Sequence, residues 1–195
     1  MFQKLNLRSV SLVALVTSAC ATTSSAPISD GSELNGVWTT ACGNKSITTL
    51  AYSGLTLKGT YTAYADGACT TPVAVNKWSG HSTIAGAGLA GATKIDVHFD
   101  SFTATALTEE QATKWSGFGY CGKSDWAANA ETNVIGLACQ GFAVPNNGVN
   151  LDIYKINGTT LLFGKGSKIT AEPREEDRPA ELNSSWAFHK SGGAA

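Results

Sequence analysis

Residues 53–64, SGLTLKGTYTAY, contain the two signals that decide the fold, a turn pair followed by a strict alternation. After the initial Ser-Gly pair, the side chains of Leu57 and Tyr61 alternate with polar residues such as Lys58. Successive side chains of a β-strand point to opposite faces, so this segment is predicted to bury one face and expose the other. Such a pattern is typical of an antiparallel sheet.

The same pattern recurs along the chain and predicts a meander of strands. Further turn pairs lie at Asp66-Gly67, Ser79-Gly80, Asn147-Gly148 and Asn157-Gly158, and within each half of the chain their spacing of about ten residues is typical of sequential hairpins. In 149–154, we expect Asn150, Asp152 and Tyr154 on the face opposite the apolar residues. The predicted strands are 34–41, 45–52, 55–64, 69–78, 81–86, 93–104, 132–144, 149–156, 159–165 and 182–189.

One short helix interrupts these strands. Thr108 and Gln111 form a capping box, Ala112 and Trp115 lie on one face of the helix, and Gly117 is expected to end it. We expect this helix to cover or plug one end of the fold. The segment 172–181, EPREEDRPAE, is charged and contains two prolines, so it is predicted to be an exposed loop.

Composition supports a β fold and excludes some partners. The 195 residues include 21 glycines, and only 15% are charged, which favours strands over a helical bundle. With 14 basic and 15 acidic residues there is no basic surface for nucleic acid. Because sequential hairpins favour closure, we predict an all-β, antiparallel up-and-down barrel with one short helix, present as a monomer.

The N-terminus has the layout of a bacterial lipoprotein signal. Basic residues precede a short apolar run at 9–16, and small residues lead into Cys20. The predicted organisation is a signal peptide at 1–19, a lipid anchor and flexible tether at 20–33, a barrel domain at 34–190 and a disordered end at 191–195. Plain secretion with cleavage after Ala21 remains the alternative. The run is shorter than the 18 or so residues that span a bilayer.

Four cysteines remain if Cys20 carries lipid. Export places them where disulfides persist, and four cysteines allow three pairings. We favour Cys42–Cys69 and Cys121–Cys139, because each pair joins nearby strands of one half of the chain. A zinc site is the weaker alternative, since no Cys-x-x-Cys spacing is present.

A resemblance to a known family adds to this prediction. Gly36-Val37-Trp38 resembles the lipocalin signature, in which the tryptophan packs across one end of the barrel. The order of the cysteines, the helix before Cys121-Gly122, and Arg178-Pro179 near the end are similar to the lipocalin-like domain of the adenomatosis-polyposis-coli down-regulated family and its bacterial lipoprotein relatives. The resemblance implies a curved sheet or barrel with an apolar pocket, and it carries no catalytic residues.

These observations predict a non-catalytic envelope lipoprotein that needs no cofactor and binds a hydrophobic small molecule or acyl chain. The alternatives are a protein-interaction module, such as a protease inhibitor or envelope-assembly factor acting through Trp126 or the 172–181 loop, and a metal or acid–base site at His98 with Asp96 and Asp100. No nucleophile-elbow, zinc-protease or phosphate-loop motif is present. The predicted ligand-binding residues are Leu57, Tyr61, Val97, Phe99, Leu151, Ile153 and Phe163.

Overall fold

The computed structural model describes residues 29–191 of the chain. The predicted signal peptide at 1–19, the lipidation site Cys20, the tether up to residue 28, and residues 192–195 of the predicted disordered end lie outside the described residues. Within residues 29–191, no helix combines the length and the apolar character needed to cross a membrane.

Eight antiparallel strands close into a barrel. Its strands follow one another in the order β9, β10, β12, β1, β2, β3, β4 and β5, and β5 pairs back with β9. This arrangement confirms the predicted antiparallel barrel with one helix. The elements are β1 (Gly36–Thr40), β2 (Ser46–Ser53), β3 (Thr56–Tyr64), β4 (Pro72–Ala87), β5 (Thr93–Ala106), α1 (Glu109–Phe118), β6 (Thr132–Asn133), β7 (Ala138–Cys139), β8 (Phe142–Ala143), β9 (Val149–Asn157), β10 (Thr160–Phe163), β11 (Ile169–Thr170) and β12 (Phe188–Lys190).

Short connections make one end of the barrel, which we call the closed end. Two-residue turns join β2 to β3 and β9 to β10, in keeping with the predicted Gly54 and Gly158 turns. Trp38 is buried at this end, where its Nε1 donates to the carbonyl of Leu34 at 2.6 Å. The Lys190 ammonium lies 5.1 Å from the centroid of the indole ring, a cation–π contact.

The long connections lie at the opposite, open end. They are the β1–β2 and β3–β4 loops, the excursion from 107 to 148 that carries α1, and the segment between β10 and β12. The disulfide Cys42–Cys69 joins the first two of these loops, and Cys121–Cys139 closes the excursion on itself. Both favoured pairings are therefore confirmed.

The helix begins as predicted and ends two residues later than predicted. The Thr108 hydroxyl accepts a hydrogen bond from the amide of Gln111 at 3.1 Å. The left-handed C-cap is Gly119, with φ of 69°, and Gly117 lies inside the helix. Trp115 and the following segment pack against Phe102 and Ala104 on β5, so the excursion covers part of the open end.

One predicted turn and two predicted strands are wrong. Ser79-Gly80 is not a turn, because β4 runs through it with a register shift opposite β5, and a side chain at Gly80 would meet the carbonyl of His98. The predicted strand 132–144 consists of three two-residue pieces, since its apolar residues pack irregularly within the excursion. The predicted strand 182–189 reduces to 188–190.

The outer loop, Glu172–Glu181, lies across the outside of β5 and β9. Arg178 donates to the carbonyls of Ile95 and Asp152 at 3.2 and 2.7 Å, and to the carboxylate of Asp96 at 2.7 Å. Lys94 and Glu175 form a second contact between β5 and this loop at 2.6 Å. The loop is exposed as predicted, but Arg178 fixes it to the barrel.

The described part of the predicted tether also contacts the barrel. Residues 32–34 form a 3-10 turn, and the side chains of Ser29 and Glu33 both hydrogen-bond to the Tyr154 hydroxyl, at 3.0 and 2.5 Å. Residues 29–33 therefore pack on the closed end.

Candidate functional site

A cavity of about 650 Å³ lies inside the barrel towards its open end. Its floor is the buried cluster around Leu57 and Val97. Its upper wall includes Tyr120 and Phe142 of the excursion, and Trp186 of the segment before β12. The volume falls within the range of small-molecule binding sites, roughly 300 to 1,000 Å³.

Aromatic rings from β4 and β5 form one wall. Trp78 and Phe102 are stacked, with ring centroids 5.6 Å apart and planes 8° apart. Phe142 lies 5.3 Å from Phe102, and Phe99 lies 6.4 Å from it. A Cβ at residue 59 of β3 would overlap the indole of Trp78, so this wall requires glycine there.

A second aromatic group lies on the opposite wall. Phe163 of β10 and Phe188 of β12 meet edge to face at 5.8 Å, and Trp186 lies 5.0 Å from Phe188. Because three strands separate β12 from β4 on either side of the eight-stranded ring, these two strands face each other across the barrel. Trp186 is 46% exposed and Tyr61 is 37% exposed, so these two side chains lie where the cavity meets solvent.

Two polar residues that line the cavity, Asn150 and Asp152, lie on β9. Asp152 is buried, and its Oδ1 accepts hydrogen bonds from the backbone amides of Ile153 and Gly164, each at 2.8 Å. The Asn150 amide nitrogen lies 3.4 Å from Oδ2 of Asp152. Burial raises the pKa of Asp152 from its usual 3.8 to about 6, because the ionised form has lost most of its hydration and these hydrogen bonds restore only part of it.

Two further acceptors in the cavity lack a partner. The side-chain oxygens of Asn76 on β4 and Asn150 on β9 are buried, and neither has a hydrogen-bond partner among residues 29–191. A buried acceptor without a partner costs free energy, so each would gain from a donor brought by a ligand or by water.

Five of the seven residues predicted to bind a ligand line this cavity: Leu57, Tyr61, Val97, Phe99 and Phe163. Leu151 and Ile153 do not line it, which corrects their predicted inward orientation. They pair in register with Asp96 and Lys94, whose side chains contact the outer loop, so this face of β9 points outwards beneath that loop. These two apolar residues are buried on the outer face of the barrel, beneath the outer loop.

The sequence-based prediction therefore missed the polar residues of the site. The alternation predicts Asn150 and Asp152 on the solvated face of β9, whereas both line the cavity. An aspartate in the middle of the apolar run VNLDIY was the available signal, because such a residue is costly to bury and usually has a specific role.

The metal or acid–base site predicted at His98, Asp96 and Asp100 is not assembled, because these side chains have different partners. Asp96 is paired with Arg178, whereas His98 stacks on His81 at 4.9 Å, and His81 lies 3.4 Å from Asp100. Within residues 29–191, no group of three or more His, Cys, Asp or Glu side chains is arranged to hold a metal ion. Trp126 is buried and donates to the carbonyl of Tyr120 at 2.9 Å, so it offers no exposed patch.

No family model matches the chain, and no curated protein matches it. The resemblance to lipocalin-like domains therefore stays a prediction.

Proposed function

We propose that this protein is a non-catalytic binding protein that holds a small, largely apolar molecule inside its barrel. The observation that supports the proposal is the cavity between the Trp78–Phe102 wall and the Phe163–Phe188 wall, which is of ligand size and opens past Trp186. Transfer of apolar ligand surface from water into this space would drive binding, at about 25 cal/mol for each Å² buried.

A neutral fluorescent probe tests the proposal. N-phenyl-1-naphthylamine brightens when it leaves water, so its titration with the full-length protein should give saturable fluorescence with one site per chain. Leu57→Trp should abolish this signal by filling the floor of the cavity. Lys58→Trp is the matched control, because residue 58 lies on the same strand, is exposed and points outwards. Equal binding by both variants would place the probe outside the barrel and contradict the proposal.

Near-ultraviolet circular dichroism separates a filled cavity from a disrupted fold. The rigid contact of Trp78 with Phe102 should give a signal that is retained in Leu57→Trp. Loss of that signal would identify a misfolded variant, and Thr48→Trp, at another buried position that lines the cavity, then replaces it.

We further propose that lipid on Cys20 tethers the barrel to the bacterial cell envelope. The N-terminal charge, apolar run and small residues before Cys20 support this location. Cells that express the full chain should incorporate labelled palmitate into the protein, and Cys20→Ser should prevent the labelling. Labelling of Cys20→Ser at the wild-type level would contradict the tether. An unlabelled wild-type protein that is released by export would favour cleavage after Ala21.

A further inference from the structure

We propose that the ligand is a planar aromatic molecule that presents N–H or ammonium donors to β9, and that it is not an acyl chain ending in a carboxylate. This inference rests on the proposed function and specifies the chemical class of ligand for the same cavity. Three features of the cavity support it: the nature of its walls, the kind of polar atoms it contains, and its charge.

The walls favour flat rings. Trp78 and Phe188 lie on strands that face each other across the barrel, and they present aromatic surfaces together with their neighbours Phe102 and Phe163. Aromatic pairs gain free energy from stacked or edge-to-face geometry beyond the area that they bury. An aliphatic chain would fill the same volume without that additional stabilisation, so the walls select planar ligands.

The unpartnered polar atoms select donors. The buried side-chain oxygens of Asn76 and Asn150 can accept hydrogen bonds, and neither oxygen has a partner within the described residues, although the Asn76 side chain also hydrogen-bonds to Tyr120. The amide nitrogen of Asn150 is directed towards Asp152 and Ser167, at 3.4 and 3.5 Å, which leaves its oxygen for another group. A ligand that carries N–H groups would satisfy these acceptors, whereas a carboxylate would place further acceptors against them.

The charge of the cavity also disfavours a ligand that carries a carboxylate. Asp152 is the only residue with a carboxylate among the described residues that line the cavity, and none of those residues is Lys, Arg or His. A fatty-acid carboxylate would therefore enter a site that holds a like charge and no cation. Oδ1 of Asp152 already accepts two backbone amides at 2.8 Å. The Ser167 side chain also hydrogen-bonds to the carboxylate, and the Asn150 nitrogen lies 3.4 Å from Oδ2, so Oδ2 is the oxygen better placed to accept a ligand ammonium.

Four matched probes test shape and charge separately by isothermal titration calorimetry with the full-length protein at pH 8. Tryptamine and indole-3-propionate share a ring and differ in charge, and octylamine and octanoate are their aliphatic counterparts. Tryptamine should bind at least tenfold more tightly than indole-3-propionate and octanoate, since a charge-assisted hydrogen bond corresponds to roughly a tenfold or larger change in affinity. It should bind several-fold more tightly than octylamine, because aromatic contacts add about 0.5–1.5 kcal/mol.

Two variants locate the charge preference. Asp152→Asn should reduce the preference for tryptamine over indole-3-propionate at least fivefold. Asp100→Asn is the matched control, because it removes one negative charge from the exposed exterior of β5 and should leave the preference unchanged. An unchanged preference in Asp152→Asn, or an equal loss in both variants, would overturn the assignment to Asp152.

The probes also separate failure of this inference from failure of the proposed function. Octanoate or octylamine binding as tightly as tryptamine, or indole-3-propionate binding more tightly than tryptamine, would overturn the inferred ligand class and leave a binding cavity in place. If none of the four probes binds and N-phenyl-1-naphthylamine also fails, both are overturned. These comparisons use the wild-type protein, so they decide the question even if Asp152→Asn does not fold.

Discussion

Replacing Asp152 by asparagine should stabilise the protein at neutral pH and leave it nearly unchanged in acid. The Asp152 carboxyl is buried in the barrel, where its pKa is raised to about 6 from its usual 3.8. A difference of about two pH units between the folded and unfolded pKa corresponds to about 3 kcal/mol. Asparagine removes the buried charge, and its side-chain oxygen still accepts the amides of Ile153 and Gly164.

The direction of the pH dependence follows from the raised pKa. Below about pH 3.8 the carboxyl is protonated in both the folded and the unfolded chain, so ionisation contributes nothing. As pH rises towards 6, the unfolded chain releases its proton first, and the folded state loses stability relative to it. Above pH 6 the full cost of about 3 kcal/mol is present. Tyr52 interacts electrostatically with Asp152, and burial raises the pKa of its hydroxyl, so Tyr52 does not ionise in this range.

Urea unfolding of the wild type and Asp152→Asn, with disulfides intact, measures this effect between pH 3 and pH 8. The difference in unfolding free energy should be near zero at pH 3 and should favour the variant by about 3 kcal/mol at pH 7. Other carboxylates titrate in both proteins and cancel in the difference. A difference that is independent of pH, or that favours the wild type as pH rises, would refute the reasoning.

Three other substitutions test the walls and supports of the site. Gly59→Ala should destabilise the protein by about 1–3 kcal/mol in urea unfolding and alter the Trp78 fluorescence, because its Cβ would overlap that indole; wild-type stability would contradict the packing of this wall. Removing the disulfide, which closes a loop of 18 residues, with Cys121→Ser and Cys139→Ser should lower the unfolding free energy by about 3 kcal/mol. An unchanged unfolding free energy would show that this disulfide does not stabilise the excursion. Arg178→Ala should release the outer loop and accelerate tryptic cleavage after Arg174 several-fold, whereas an unchanged rate would mean that other contacts hold the loop.

Sequence alone predicted the strands whose signals are local. The alternation in β3 and the glycine turns before β3 and β10 are properties of neighbouring residues, and the structure has strands and tight turns there. The turn predicted at Ser79-Gly80 is wrong because the same dipeptide suits a bulge as well as a turn. Only the partner strand β5, which shifts register opposite it, decides between the two.

The orientation of β9 could not be predicted, because it depends on a segment distant in sequence. The outer loop covers the outside of β9, so Leu151 and Ile153 are buried although they do not face the cavity. In an antiparallel sheet with one solvated face, apolar residues mark the inside, but here both faces of β9 are covered. The same inversion concealed Asn150 and Asp152, which carry the polar chemistry of the site.

A crystal structure of the protein with N-phenyl-1-naphthylamine bound tests the central claim most directly. We expect electron density for one probe molecule inside the barrel, between the Trp78–Phe102 wall and the Phe163–Phe188 wall, with its N–H directed towards an unpartnered oxygen of Asn76 or Asn150. Density for the probe only on the outer surface, with the barrel interior filled by the protein's own side chains, would contradict the account.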